Sequence, residues 1–471
     1  MSDRDLNVQE GSDSIEKGIE KALQEIDLIQ KEKSLVKTGE ELEALERKII
    51  EATDNLAGAL VAQKVQDSIK SEELKDEAAL LVNTYPKKMK NQGPHDVTIR
   101  PSRGEPFTVE TTYFSQKGKK RKKNRVGFYP ELILLGIHDR CTPRLASEVS
   151  LTTVAMSSFE EAEKALADRG ICLDISTIRN ITIRFVARAK AAQRSEAYEF
   201  VETVDRRRVV ISTDGGRIRI RENKRGPKTK KGRNRYSTDW REPKLLIIYV
   251  VNEEGRMERK FCPFIDGTMK GPDAIFGLLR FYLSKLKLSK ADQILFVADG
   301  ARWIWKRVPQ LLKDLGVQLK HAYELVDFYH AVEHLGKVAA CRKSWSPAER
   351  KRWVKKHKKL LKAGKIQQVT DAIKILCKGR SSKEFRRERN YFLRNQHRMS
   401  YHTIQGMGLP IGSGAMESAI RRVVNLRLKG AAIYWHVGTA EAMLTLRSYF
   451  KAGRWNMLKS QAITPTLEAA I

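Results

Sequence analysis

Ile294-Leu-Phe-Val-Ala-Asp-Gly300 is a run of five apolar residues ending on an aspartate and a glycine. A short continuous apolar run closed by a turn signal reads as a strand buried on both faces. Its terminal aspartate, Asp299, is presented at the strand's carboxyl end. Upstream, residues 208–213 form a second such run, closing on Asp214-Gly-Gly216. Between the two lie strand candidates at 245–252 and 257–264, with Asn252-Glu-Glu-Gly255 as their hairpin turn. A helix is predicted after Gly271-Pro272, because Pro suits a first helical turn and Ile275, Leu278, Leu279, Tyr282 and Leu286 keep a 3.6-residue period. Three antiparallel strands, a helix and a further strand predict an α/β domain whose first and fourth strands are neighbours. Asp214 and Asp299 then meet, although they are far apart in the chain.

The chain has 471 residues, enough for two to four domains. Lys and Arg number 89 against 57 acidic residues, a net charge of +32. Residues 1–80 are net negative by about 9, so the remainder carries about +41. A basic surface can be merely solvated, but an excess on this scale favours a polyanionic partner, because each neutralised phosphate releases counterions. The five cysteines form no C-x-x-C pair and support neither a disulfide framework nor a cysteine zinc site. The first residues lack a charged-then-apolar leader, and the longest apolar run, 245–251, is far too short to span a bilayer. The expectation is a protein of a reducing cytoplasm, associated with the nucleoid and not with membranes.

Residues 12–80 carry apolar positions at helical spacing, broken near Thr38-Gly39. Region 1–83 is read as helical, either a dimerising coiled coil or helices that pack back onto the body. Region 84–130 is a short β and basic linker, with β-prone stretches at 97–99 and 107–114. It ends in seven cations within residues 117–125, among them Lys119, Lys120, Arg121, Lys122 and Lys123. That run is read as a DNA-contacting loop in preference to a solubility segment or an import signal. Region 131–200 has a helix-turn-helix outline. Ser158 caps a helix over 159–169, Gly170 ends it, Ile171 and Leu173 tuck under, and Asp174 or Ser176 opens a second helix. Ile178, Ile181 and Phe185 line its inner face, leaving Arg179, Arg184 and Arg188 for a groove.

Two further stretches bear on chemistry. Residues 221–235 hold eight cations, including Arg225, Lys228, Lys230 and Lys231, and are expected to be disordered until they meet a phosphate backbone. Glu417 lies in the first turn of a helix expected to be capped by Ser413 and to run to Gly430. That helix offers Arg421, Arg422, Arg427 and Lys429 as a phosphate-gripping side. Alone, Glu417 reads as a complement to the helix dipole, just as a single Asp-Gly reads as a plain turn.

As an ensemble these stretches resemble a known family. Asp214-Gly, Asp299-Gly-Ala-Arg-Trp-Ile-Trp305, Leu325-Val-Asp-Phe-Tyr-His-Ala-Val-Glu-His-Leu335, Pro410-Ile-Gly-Ser-Gly-Ala-Met-Glu-Ser-Ala419 and Asn425-Leu-Arg-Leu-Lys-Gly430 are similar to DDE-type transposases of bacterial insertion sequences, in the branch akin to Mutator-like elements, over roughly residues 205–450. The resemblance implies a ribonuclease-H-like catalytic domain (201–335 and 405–450) with a helical insertion (336–404), followed by a tail (451–471). It implies Asp214, Asp299 and Glu417 as ligands of two Mg2+ ions, with Mn2+ as substitute, and Asp327 and His330 as the auxiliary Asp-x-x-His signature. The implied activity is cleavage of double-stranded DNA at transposon ends and joining of the 3′-hydroxyls to target DNA, by a homodimer or larger assembly. Related proteins often carry a cysteine-rich ribbon ahead of this domain, and none is visible here. Two other readings compete. One is a transposase-derived DNA-binding protein without activity. The other is a zinc peptidase, because His330-Ala-Val-Glu-His334 spells H-x-x-E-H.

Overall fold

The computed structural model describes residues 3–32, 35–116, 126–194, 199–230, 232–378 and 382–465. The chain divides into two compact units, residues 1–198 with 456–471, and residues 199–455. The three regions expected before residue 200 therefore form one unit, which also takes in most of the expected C-terminal tail.

In the first unit, α1 (Asp3–Lys31), α2 (Gly39–Lys70) and α3 (Glu72–Asn83) precede an antiparallel sheet of β1 (Met89–Ile99), β2 (Phe107–Gln116) and β3 (Gly127–Phe128). The break before α2 is a capping box: the Thr38 side chain accepts the Glu41 N–H and the Glu41 carboxylate returns to the Thr38 N–H. Ala62 and Ile69 of α2 share one buried cluster with Val97, Ile99 and Val109 of the sheet. Of the two roles weighed for these helices, the structure shows packing onto their own sheet. The basic run with Lys119, Lys120, Arg121, Lys122 and Lys123 lies outside the described residues.

After α4 (Pro130–Leu134) and α5 (Pro143–Ala155), the expected helix pair is present as α6 (Phe159–Ala167) and α7 (Ile175–Arg194). The Ser158 side chain caps α6, Gly170 takes φ +76°, and the Asp174 carboxylate accepts the Thr177 N–H at 3.0 Å. Asp174, not Ser176, opens the second helix. Arg188 is corrected: it is buried, and it donates to Asp139 at 2.8 Å. Arg184 is exposed but also pairs with Asp139, and Arg179 is half-buried. The groove-facing arginine row expected on α7 is therefore mostly committed within the unit.

The second unit is built on a five-stranded mixed sheet. Its first strand, β4 (Arg208–Gly215), leads into a separate antiparallel ribbon of β5 (Ile218–Asn223) and β6 (Tyr236–Arg241), then into β7 (Lys244–Val251) and β8 (Phe264–Thr268). After α8 (Pro272–Lys285) come β9 (Gln293–Ala298), α9 (Arg302–Trp305), α10 (Val308–Asp314) and β10 (Ala322–Val326). The strand order is β10-β9-β4-β7-β8, with β4, β9 and β10 mutually parallel and β7 antiparallel to both β4 and β8. Every residue of β7 is buried, as its unbroken apolar run requires of a strand covered on both faces.

Two expectations fail in this unit. The third strand begins at Phe264, not Met257. The turn at Asn252–Gly255 forms, with the Gly255 N–H on the Asn252 carbonyl at 3.0 Å, but Met257 makes only an isolated bridge. Pro263, which has no N–H to give a ladder, directly precedes the true strand. The expected disordered segment 221–235 is bounded by paired strands: Arg221, Glu222 and Asn223 face Thr238, Ser237 and Tyr236 across the ribbon.

The chain continues with α11 (Phe328–Ala340), the insertion helices α12 (Pro347–Lys362), α13 (Ile366–Cys377), α14 (Lys383–Asn395) and α15 (Tyr401–Gly406), then α16 (Gly414–Ile420), a π-helical turn at Arg421–Asn425, and α17 (Val437–Lys451). α16 packs on β4 and β7, and α8 and α17 both pack on β8. The last helix, α18 (Trp455–Ile463), brings Gln461 to accept a bond from Gln193 at 3.1 Å in the first unit. No helix of the described residues is long and apolar enough to cross a membrane.

Candidate functional site

Three parallel strands end side by side, and each ends on an aspartate. β4 pairs with β9 as far as Ile211 opposite Phe296, and Asp214 and Asp299 each lie three residues beyond that last pair. β9 pairs with β10 with Ala298 opposite Val326, and the Asp327 N–H donates to the Ala298 carbonyl at 2.8 Å. Neighbouring strands run roughly 4.8 Å apart, so the three residues occupy one short edge. The carboxyl ends of parallel strands are where α/β sheets place their ligands.

The three carboxylates are not equivalent. Asp214 is half-buried, and its Oδ1 accepts the Gly215 N–H at 2.7 Å. Burial pushes its carboxyl up to about 6; the Gly215 bond opposes this, the Asp299 charge adds to it, and His330 and Lys244 pull the other way. Asp299 has one oxygen on the Ala301 N–H at 3.0 Å, and its main-chain carbonyl takes the Trp305 indole N–H at 2.7 Å. Among the described residues the second oxygen of each of these two has no hydrogen-bond donor. Asp327 is different. It is fully buried, one oxygen caps α11 through the His330 N–H at 2.7 Å, and the other accepts the Ser413 N–H. Both oxygens serve to position His330 and the segment leading into α16. Gly412 allows this close approach, since a Cβ there would lie 2.8 Å from the Tyr329 ring.

Asp214, Asp299 and His330 thus share one site, with Asp327 behind them. Glu417 lies on α16. Its helix starts beside Asp327 and crosses β4 and β7, but the residue is solvent-exposed. Among the described residues, no three His, Cys, Asp or Glu side chains are grouped as ligands for a metal ion. Ser413 supplies no side-chain cap to this helix; its N–H is given to Asp327 instead. The helix also ends well before Gly430, in the π turn, which shifts the phase of everything beyond it. That displacement explains Arg427, expected on a DNA-facing side but buried, with its guanidinium 5.1 Å from the centre of the Trp435 ring. Arg421 and Lys429 are exposed, and Arg422 is half-buried with a bond to the Ser418 carbonyl at 3.4 Å.

The H-x-x-E-H stretch is divided between two tasks. His330 lies near enough to Asp214 for its charge to lower that carboxyl. The His334 imidazole stacks on Tyr391 of α14 at 3.6 Å, and its Nδ1 bonds Glu388, a buried carboxylate also held by Arg387 at 2.8 Å. Burial lowers the His334 pKa against the opposing pull of Glu388. His334 therefore ties the insertion to α11. Glu333 is exposed.

Comparison of the chain with protein-family models, with curated proteins and with solved structures finds no match. What the site can do has to come from its own residues.

Lys244 is a participant the sequence reading passed over. It opens β7 opposite Gly215, is buried, bonds Glu242 at 2.6 Å, and sits 4.4 Å from the Trp303 ring centre. The ribbon is the second. Ile218 and Ile220 are buried, while Arg219 lies 4.9 Å from the Trp240 ring centre and Arg221 5.9 Å from that of Tyr236. All of β6 is exposed. Arg225, Lys228 and Lys230 are exposed between the two strands, and Lys231 lies outside the described residues. Arginines interleaved with exposed aromatics suit a surface for nucleic acid, where bases stack and phosphates are neutralised.

Proposed function

We propose that this protein cuts DNA strands and joins the freed 3′-hydroxyls to a target, as a metal-dependent transposase of ribonuclease-H-like fold. The observation that carries the reading is that Asp214 and Asp299 each follow by three residues the last pair of two adjacent parallel strands, near enough for the Asp299 charge to raise the Asp214 carboxyl. The strand order, with the first strand between an antiparallel pair and a parallel pair, supports the same fold assignment. Asp214 is half-buried beside a second carboxylate, and its raised pKa expresses the cost of holding that charge without a cation. Such a pair fits a divalent ion that takes one or two carboxylates and completes its shell with water and phosphate oxygens, as Mg2+ or Mn2+ does.

In this reading Asp214 and Asp299 would hold the metal, whose bound form supplies an activated water and stabilises the leaving oxygen. Glu417, exposed on the first turn of α16, would be the third acid. Asp327 fixes the His330 backbone, and His330 stands where a scissile phosphate would pass. The ribbon cations Arg225, Lys228 and Lys230, with Arg421 and Lys429, supply counter-charge for the duplex. A homodimer or larger assembly on paired DNA ends belongs to the same proposal, as does a nucleoid location.

The test is incubation of the full chain with the DNA flanking its own gene in Mg2+ or Mn2+, mapping nicks at nucleotide resolution. Metal-dependent nicks at inverted repeats, lost in Asp214→Asn, are expected. Tight, salt-sensitive binding with no cleavage in any metal identifies a DNA-binding protein instead. Stoichiometric zinc that disappears in His334→Ala identifies a peptidase.

A further inference from the structure

A cavity of about 470 Å³ opens one residue beyond Asp299, between the β9–α9 turn and the end of α14. Gly300 forms its inner edge, and four cations line it: Arg302, Lys306, Arg394 and Arg398. Among the described residues no acidic side chain lines it. Arg398 is already committed, bonded to Glu324 through Nε at 2.5 Å and 4.8 Å from the Trp305 ring centre. The other three have no carboxylate partner among the described residues. Arg302, Lys306 and Arg394 are exposed; the Arg394 Nε donates to the Asn390 carbonyl at 3.0 Å, which leaves its two terminal nitrogens for a ligand.

Convergence of like charges costs energy unless an anion offsets it. Partial desolvation and then the neighbouring Arg302 charge lower the Arg394 pKa. The geometry is also built in. A Cβ on Gly300 would stand 2.2 Å from Tyr391 Cε2 and 3.0 Å from Asn395 Nδ2, so the main chain after Asp299 is pressed against α14, which carries Arg394. Asn395 is buried and donates to the Tyr391 carbonyl at 2.9 Å, holding that end of the helix in place. Guanidinium groups in a fixed frame suit phosphate oxygens, which they bind in pairs of parallel hydrogen bonds.

We propose that this cavity seats one backbone phosphate of the nucleic-acid strand whose neighbouring phosphodiester lies at Asp214 and Asp299. It rests on the strand-cleavage reading for the identity of its ligand. The cradle makes the insertion part of the substrate site: α14 supplies Arg394, and His334 and Glu388 tie α14 to the helix that carries His330.

The test uses the full chain with a fluorescent duplex, measuring Kd against salt by anisotropy for wild type, Arg302→Gln, Arg394→Gln, the double variant and the control Lys313→Gln, an exposed lysine away from the cavity. Loss of one phosphate contact lowers the slope of log K against log salt by about 1, and affinity by roughly tenfold at 0.1 M salt. That change is expected in the double variant, with part of it in each single variant and none in Lys313→Gln. Inorganic phosphate in millimolar amounts is expected to leave the duplex bound. Unchanged slope and Kd in a double variant whose tryptophan-monitored melt matches wild type overturn the proposal. Stoichiometric binding of inorganic phosphate, lost in the double variant while duplex affinity stays the same, overturns the strand as its source. Nicking is scored separately. Cleavage with an unaltered salt slope sinks the cradle alone, whereas an altered slope without cleavage in any metal sinks the catalytic reading alone.

Discussion

Replacing Asp214 by Asn tests whether the candidate site stores unfavourable charge that only a cation relieves. The carboxyl stands at about 6 against a usual 3.8, with burial the first cause and the Asp299 charge a further one. The folded state therefore holds its proton more tightly than the unfolded chain. Stability is fully present below about pH 4, falls as pH rises from there to about 6, and stays reduced above that. A proton held roughly a hundredfold more tightly corresponds to about 3 kcal/mol, at ~1.4 kcal/mol for each factor of ten, and this is a ceiling because local relaxation reduces it. Asn is isosteric, keeps an oxygen for the Gly215 N–H and carries no charge. In EDTA at pH 8, Asp214→Asn should melt higher than wild type by roughly 5 °C, taking ~2–4 °C per kcal/mol for a body of this size. The gap should close towards pH 4. All seven tryptophans fall between residues 240 and 455, so intrinsic fluorescence reports on the second unit alone. Saturating Mg2+ should then raise the wild-type melt, by about 2.7 kcal/mol at a hundredfold excess over Kd, and leave the variant in place. A wild type at least as stable as the variant at pH 8 in EDTA, or a gap indifferent to pH, would refute the reasoning.

Two further substitutions probe how the site is held. Gly300→Ala drives a methyl into the Tyr391 ring and should cost ~1–3 kcal/mol, read as a lower urea midpoint, together with lost nicking because Asp299 is displaced. The companion Gly277→Ala in α8, where a Cβ meets nothing within 4 Å, should instead gain up to ~1 kcal/mol. Asp327→Ala strips the acceptor from the His330 and Ser413 N–H groups and should cost ~3 kcal/mol at ~1–3 kcal/mol per stranded donor, whereas Asp327→Asn, which keeps one oxygen, should cost about half. Equal midpoints for the Ala and Asn variants would show that the carboxylate does not hold that junction.

Much of the second unit was legible because short-range physics governs it. The apolar runs at 209–211, 245–251 and 294–298 read as covered strands, and the structure has strands at all three. Proline at the start of α8 and the Ser158 cap with Gly170 marked helix ends correctly, since those signals act within a few residues. Some misses were also readable. Arg217-Ile-Arg-Ile-Arg221 alternates with the period of a strand, yet no strand was expected there and its last residue was counted into the basic loop 221–235. Arg188 lies seven residues from Ile181, two helical turns along the same face, which is why it is buried.

The remainder depended on chain segments far apart in sequence. Charge, strand runs and the two Asp-Gly turns determined from the sequence alone that carboxylates end buried strands in a basic protein. The strand pattern also led to the expectation that Asp214 meets Asp299; only the tertiary structure decided the register behind that meeting and the roles of the residues around it. The parallel register places Asp214 and Asp299 each three residues beyond the last β4–β9 pair, the Ser413 N–H turns Asp327 into a structural acceptor, and a π turn rotates Arg427 inward. It also gathered Arg302 and Arg394, some ninety residues apart, around one cavity. Periodicity constrains each element about its own axis, but the register between strands and the phase after a helix irregularity are chosen by packing across the whole core.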